Sequence, residues 1–250
     1  MTSRWTLLTN DDGAQSPALV PFAEALSGRG RVRTCVPDRE RSWSGKALSR
    51  WDELRVQDLP SPLDGWAHSG LPADGVQLGV RHLDGGPPSL VVSGINVGHN
   101  HGAAYLWSSG TVGAAIEGWA LGIPAVAFST GTMRDWETWR ASCHAPEGRA
   151  MWERLSAVAC SVLDEIIEDG TVADAHVVNV NLPEGTDEHT ERRRTTVAAT
   201  GYGPIFAPSG EARFAHAYDG RIVPRGGLEG TDVEAAQDGA ISITALRLDG

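Results

Sequence analysis

Five short runs rich in apolar and β-branched residues recur along the chain: Trp5 to Thr9, Val32 to Val36, Leu90 to Ser93, Pro124 to Ser129 and His176 to Leu182. Runs with no polar face suit strands covered on both sides, and helical patterns fall between several of them. Ser16 and Pro17 are placed to cap and open a helix with Leu19, Phe22 and Leu26 on one face. Gly28 can end it, while Pro21 delays its regular part. After Thr111, residues Val112, Ile116, Trp119 and Ala120 keep helical spacing up to the stops Gly122 and Pro124. "MWERLSAVACSVLDEIIEDG" predicts an amphipathic helix from about Met151 to Asp169. Strands alternating with helices lead to an α/β fold with a doubly wound, mostly parallel sheet.

The last third differs. "TERRRTTVAATGYGPIFAPSGEARFAHAYDGRIVP" mixes β-type residues with turn glycines and prolines and has no helical period, which predicts a hairpin-rich extension. A last strand is expected at "GAISITAL". A chain of 250 residues fits one domain here, with a core to about residue 183 and an extended region, 184–250, whose final strand returns to the core.

The formal net charge of −11 argues against binding a nucleic-acid polymer, which needs a basic surface to displace counterions. A small anionic ligand remains compatible if a metal or a helix terminus supplies local positive potential. No segment is long or apolar enough to span a bilayer, so no membrane partner is expected. The start, "MTSRWTLLTNDDG", lacks the basic and apolar regions of a secretory signal, and cytoplasm is the expected location. Cys35, Cys143 and Cys160 have no CxxC spacing, so neither a disulfide framework nor a zinc site is expected.

In open α/β sheets ligands bind beyond the carboxyl ends of the strands. Polar clusters fall there: "TNDDG" after the first strand, "VPDRERSWSGK" after the second, and "SGINVGHN" after the run ending at Val92. A fourth, "SSGTVGAAIEG", opens a helix. Asp11 and Asp12 are hard oxygen donors suited to Mg²⁺ or Mn²⁺ rather than zinc. A helix-capping Asp explains one of them; adjacent carboxylates straight after a strand favour a metal. Backbone N–H groups, the helix dipole and the hydroxyls of Ser109 and Thr111 favour phosphate at the fourth cluster, although Ser and Thr open many helices that bind nothing. Two carboxylates in the first turn disfavour a dinucleotide site, which needs glycine and backbone N–H groups there.

Taken together, "LLTNDDG", "PDRERS", "SGINVGHNHG", "SGTVGAAIEG", "VVNVNLP" and "GTDVEAAQDGAISITAL" resemble, in order, blocks of the SurE family of metal-dependent phosphatases, also called stationary-phase nucleotidases. "GLPADGVQLGV" is similar to another block, with Gly75 where a cysteine is common. The resemblance spans nearly the whole chain. It implies a Rossmann-like core, one divalent ion per subunit (Mg²⁺ or Mn²⁺) and hydrolysis of phosphate monoesters, typically nucleoside monophosphates. By motif position the metal ligands are Asp11, Asp12, Ser42 and Asn96. Phosphate or substrate lies against Ser109, Gly110 and Thr111, with Asn10, Asn96 and Asn100 beside it. One of the two aspartates, Asp11 by preference, is expected to serve as general base as well as ligand. Family members commonly exchange the C-terminal extension between subunits, which implies a homodimer or homotetramer.

The chain also departs from the family pattern. Trp43 stands where a small residue is usual, and Lys46, the one lysine, is in the same loop. Lys46 either meets the substrate phosphate or is a solvated surface residue. Trp43, Tyr105 and Trp107 form either an aromatic wall for a flat group or core and subunit contacts. His99 and His101 are expected as exposed loop residues. Trp136 and Trp139, at helical spacing, either close over the site or bury at an interface. The altered loops motivate a second substrate class, a phosphorylated specialised metabolite or sugar. A non-hydrolytic nucleotide binder is disfavoured, because it needs no metal constellation.

Overall fold

A computed structural model of the chain describes residues 5–83 and 86–248. Its first half runs β1 (Trp5–Thr9), α1 (Leu19–Ser27), β2 (Arg31–Pro37), β3 (Val56–Asp58), β4 (Gly65–His68), α2 (Pro72–His82), β5 (Leu90–Val97), α3 (Gly102–Ser108), α4 (Gly110–Ala120) and β6 (Ala125–Gly131). There follow α5 (Trp136–His144), α6 (Arg149–Glu168), α7 (Thr171–Asp174) and β7 (Val177–Pro183). The C-terminal part holds β8 (Arg192–Arg194), β9 (Thr200–Tyr202), β10 (Phe206–Gly210), β11 (Arg213–His216), β12 (Ile222–Pro224), α8 (Asp232–Gln237) and β13 (Ile241–Leu246).

One sheet of nine strands among the described residues has the order β3-β4-β2-β1-β5-β6-β7-β13-β8. From β4 to β7 every neighbouring pair is parallel. β3 closes one edge antiparallel to β4, and β13 lies antiparallel to β7 with β8 beyond it. The chain winds outward from β1 through β2 to β4, then returns to place β5 on the other side of β1. That reversal opens a crevice at the carboxyl ends of β1 and β5, the position where such sheets bind ligands.

Successive side chains of a strand point to opposite faces, and β1 shows what this builds. Leu8 faces α1 and α6 with Phe22, Phe128, Trp152 and Leu155; Leu7 faces α2 and α4 with Val76, Val80, Val112 and Ala115. Both helix layers are therefore glued to a sheet that has no solvated central face, as the uninterrupted apolar runs require. Gly118 lets α4 settle on β5: a Cβ there would lie 2.9 Å from Cβ of Val91. The three cysteines are free and buried. No helix among the described residues is long and apolar enough to cross a membrane.

The first helix corrects one expectation. α1 begins at Leu19, and its cap, Ala18, contributes no side-chain bond, so Ser16 and Pro17 lie outside the helix. Pro21 sits in the first turn, where its missing N–H is one that a helix leaves unpaired anyway.

Phe128 is fully buried and meets Phe22 edge-on at 5.7 Å between ring centroids. Truncation of Phe128 to Ala is expected to cost about 3–5 kcal/mol in urea denaturation, against about 0.5 kcal/mol or less for Trp51→Ala at an exposed position. Equal effects would contradict this placement of the core.

Candidate active site

The turn after β1 is closed by Asn10. Its Oδ1 accepts the N–H of Gly13 at 3.0 Å, and its Nδ2 donates to the Gly13 carbonyl at 3.2 Å. Gly13 has φ +83°, and a Cβ there would lie 2.5 Å from the carbonyl carbon of Arg39. Only glycine fits this turn. The Arg41 N–H donates to the Asp11 carbonyl at 2.7 Å, and Ala14 N–H to that of Pro37 at 2.8 Å. These bonds stitch the loop after β2, which carries Ser42, to the two aspartates.

β5 supplies the other side. Its pairing with β6 is irregular between Ser93 and Asn96. The Asn96 amide donates to the Gly98 carbonyl at 2.6 Å, and the Val97 N–H donates to Asp12 Oδ2 at 3.0 Å. From α4, the Thr111 hydroxyl donates to Asp11 Oδ1, while Ser109 caps the helix by accepting the Val112 N–H at 3.1 Å. At Gly110 a Cβ would lie 2.8 Å from Cβ of Asp11 and 2.9 Å from its Oδ2. The helix start thus reaches the carboxylates because it begins with glycine.

Asp11 and Asp12 are electrostatically frustrated. Burial holds Asp11 above the usual carboxylate range, against the Thr111 hydrogen bond, and Glu40 adds to the rise. Asp12 is raised by burial and then by the charge of Asp11, despite the Val97 N–H. Among the described residues neither aspartate forms an ion pair with a basic side chain. Nor do three or more His, Cys, Asp or Glu side chains gather as a metal-binding group. A metal at this place would have the two carboxylates as its charged donors. That set is hard, oxygen-rich and uncompensated, and it fits Mg²⁺ or Mn²⁺.

Ser42 lies at the exposed rim, with its hydroxyl donating to Glu40 at 2.7 Å; Arg140 pairs with the same carboxylate at 3.2 Å. Beside it, Trp43 is half-exposed in a left-handed backbone conformation, φ +63°. Its ring is 5.1 Å from Tyr202, 5.3 Å from His216, 5.4 Å from Tyr218 and 6.5 Å from Tyr105. Trp107 stands elsewhere, lining a shallow groove with Lys46 and Trp119. On the opposite margin, Trp136 packs against Gly98 and against the buried Trp139.

The family model "Survival protein SurE" matches residues 6–203. The chain belongs to the SurE family. The 5'-nucleotidase SurE of Geobacter sulfurreducens is 34% identical, with 97% of this chain and 87% of that protein covered. The 5'-nucleotidase SurE of Methanopyrus kandleri is 36% identical, with 97% and 91% covered. The crystal structure of the SurE protein from Aquifex aeolicus aligns with a TM-score of 0.76 at 32% identity, covering 98% of this chain and 94% of that one.

Several positions of this SurE chain differ from what its sequence led us to expect. Lys46 is paired within the fold: its Nζ lies 2.5 Å from the buried carboxylate of Glu117, which also accepts from Gln77. Glu117 is seven residues beyond Gly110, about 10 Å along the helix. Asn100 is spent inside the fold, its N–H on Asn181, its amide on Ser129 and its carbonyl on Asn179. His99 and His101 are not exposed; they stack at 4.7 Å, and burial lowers both pKa values, His101 to about 4. Glu40, Tyr202, His216 and Tyr218 were missed. The glutamate of "PDRERS" was visible in the sequence, but nothing in the spacing ties the three aromatic residues to Trp43.

The raised pKa of Asp11 carries a sign. Between about pH 4 and about 6 the folded chain retains a proton that the unfolded chain has released, so stability falls as pH rises through that window. Metal-free wild type is expected to lose stability there relative to Asp11→Asn, by on the order of 2 kcal/mol, in denaturant melts with chelator. A gap independent of pH would contradict the frustration.

Proposed function

We propose that this protein is a divalent-metal-dependent phosphomonoesterase that hydrolyses nucleoside monophosphates to nucleoside and inorganic phosphate. One observation carries the reading: Asp11, buried beside Asp12 and without an ion-pair partner among the described residues, accepts a hydrogen bond from Thr111 at the start of α4. A site for a dication and a site for an anion therefore adjoin. The names of the curated SurE relatives, 5'-nucleotidases, point the same way.

Asp11, Asp12, Asn96 and Ser42 would hold one Mg²⁺ or Mn²⁺ per subunit. The ion supplies Lewis acidity toward the phosphoryl oxygens and lowers the pKa of bound water. The rest falls to the chain itself. N–H groups at the start of α4 and the hydroxyl of Ser109 orient the phosphate and favour its negative charge. Asp11, oriented by the Thr111 hydroxyl on Oδ1, is the proposed acceptor for the proton of the attacking water. Asn10 and Gly13 keep the aspartates from moving as charge redistributes.

The aromatic group around Trp43 supports a flat leaving group. The hydroxyls of Tyr105, Tyr202 and Tyr218 are engaged with one another, with Ser108 and with backbone carbonyls, so the cluster offers ring faces rather than hydrogen bonds. The same feature favours a second reading, a non-nucleotide ester with an aromatic alcohol, such as a phosphorylated specialised metabolite. We further infer a homodimer or homotetramer built through the C-terminal extension, where Phe206 and Phe214 stand exposed on the β10–β11 hairpin.

Phosphate release from nucleoside 5′- and 3′-monophosphates, sugar phosphates and p-nitrophenyl phosphate, with Mg²⁺ or Mn²⁺, tests the reading. Turnover of the nucleotides is expected, and Asp11→Asn is expected to abolish it while circular dichroism stays native. Release confined to non-nucleotide esters favours the second substrate class. Undiminished turnover by Asp11→Asn, or silence on every ester, overturns the proposal.

A further inference from the structure

The loop between Ser42 and Lys46 is pressed onto the first turn of α4. The Gly45 N–H donates to the Ser108 carbonyl at 2.9 Å. A Cβ on Gly113 would lie 2.3 Å from the Gly45 carbonyl oxygen, so helix and loop touch backbone to backbone. Between these contacts and the left-handed Trp43, Ser44 is turned inward. Its Oγ is buried and has no hydrogen-bond partner. A hydroxyl in that condition normally costs more than it contributes unless something else accepts its proton.

The surroundings of this oxygen define what the acceptor is. The position a Cβ would take on Gly110 lies 2.7 Å from Ser44 Oγ and 2.9 Å from Asp11 Oδ2. The serine therefore faces the same small volume as the proposed base, on the α4 side. Donors lie on that side: the N–H of Gly110 at the head of α4, ahead of Val112 N–H on the Ser109 hydroxyl and Gly113 N–H on the Ser109 carbonyl at 3.0 Å, and the Ser109 hydroxyl itself. A group that accepts from helix N–H groups and from a buried hydroxyl together is an oxyanion.

We propose that Ser44 is a further substrate-binding residue, whose hydroxyl donates to a nonbridging phosphoryl oxygen held at the start of α4. It rests on the phosphomonoesterase reading above. It gives the "SWSGK" loop two adjoining duties: Ser42 toward the metal and Ser44 toward the phosphate.

Ser44→Ala and Ser44→Thr test it, with inorganic phosphate and Mn²⁺ as probes. Because Ser44 Oγ supports no contact of the fold, Ser44→Ala is expected to melt no lower than wild type in the metal-free state. With saturating Mn²⁺, its inhibition constant for inorganic phosphate is expected to rise roughly ten- to hundredfold, the loss of one hydrogen bond to a charged group. The thermal shift produced by phosphate should shrink in step. Mn²⁺ affinity should be unchanged, and Ser44→Thr should recover part of the phosphate affinity. Unaltered phosphate inhibition in Ser44→Ala overturns the proposal, as does weakened Mn²⁺ binding without weakened phosphate binding. A wild-type protein that hydrolyses no phosphate ester and binds no phosphate sinks the phosphomonoesterase reading and this inference together; an active wild type with an unaltered variant sinks this inference alone.

Discussion

The hydrogen bond from the Thr111 hydroxyl to Asp11 Oδ1 joins the two halves of the site. One partner ends β1 and the other begins α4, so the bond fixes where the positive end of a helix meets a buried carboxylate. Everything nearby is shaped to permit it. Gly110 removes the side chain that would strike Asp11, Gly113 admits the loop carrying Ser42 and Ser44, and Gly118 lowers the far end of α4 onto Val91. The helix is set by three absent side chains as much as by its buried face.

This arrangement leaves a debt of charge. A helix terminus and one hydroxyl do not neutralise two adjacent carboxylates out of water, and Glu40 makes the imbalance worse. Stable proteins seldom keep such a pair without a partner. Elsewhere the chain behaves conventionally: buried Glu117 has Lys46, and buried Asp232 accepts the N–H groups of Gly102 and Ala198 at 2.9 Å each. The contrast singles out Asp11 and Asp12 as the pair on which the proposed function rests. In a fold that satisfies its other buried carboxylates from within, the exception marks the site.

Much of this was legible in the chain. The apolar runs at Trp5, Val32, Leu90, Pro124 and His176 became β1, β2, β5, β6 and β7, because strands covered on both faces leave continuous hydrophobic stretches. The carboxylates, Asn96 and the Ser109–Thr111 turn could be placed near one another because strand ends of a parallel sheet converge. What stayed hidden depends on long-range packing. Nothing local in "GKAL" reveals that Lys46 answers Glu117, 71 positions away by sequence number. The stacking of His99 on His101 has no periodic signature, and α3 and β4 are too short to show one. The aromatic group depends on Tyr202, His216 and Tyr218 arriving from an irregular extension whose path no spacing rule foretells.

We propose that a dication rests between the carboxylates of Asp11 and Asp12. A crystal of the protein grown with Mn²⁺ and measured at a wavelength where manganese scatters anomalously addresses it directly. One strong anomalous peak per chain is expected, within about 2.0–2.3 Å of an oxygen from each aspartate. A map with both carboxylates ordered and no peak between them, or with manganese bound only elsewhere, would contradict it.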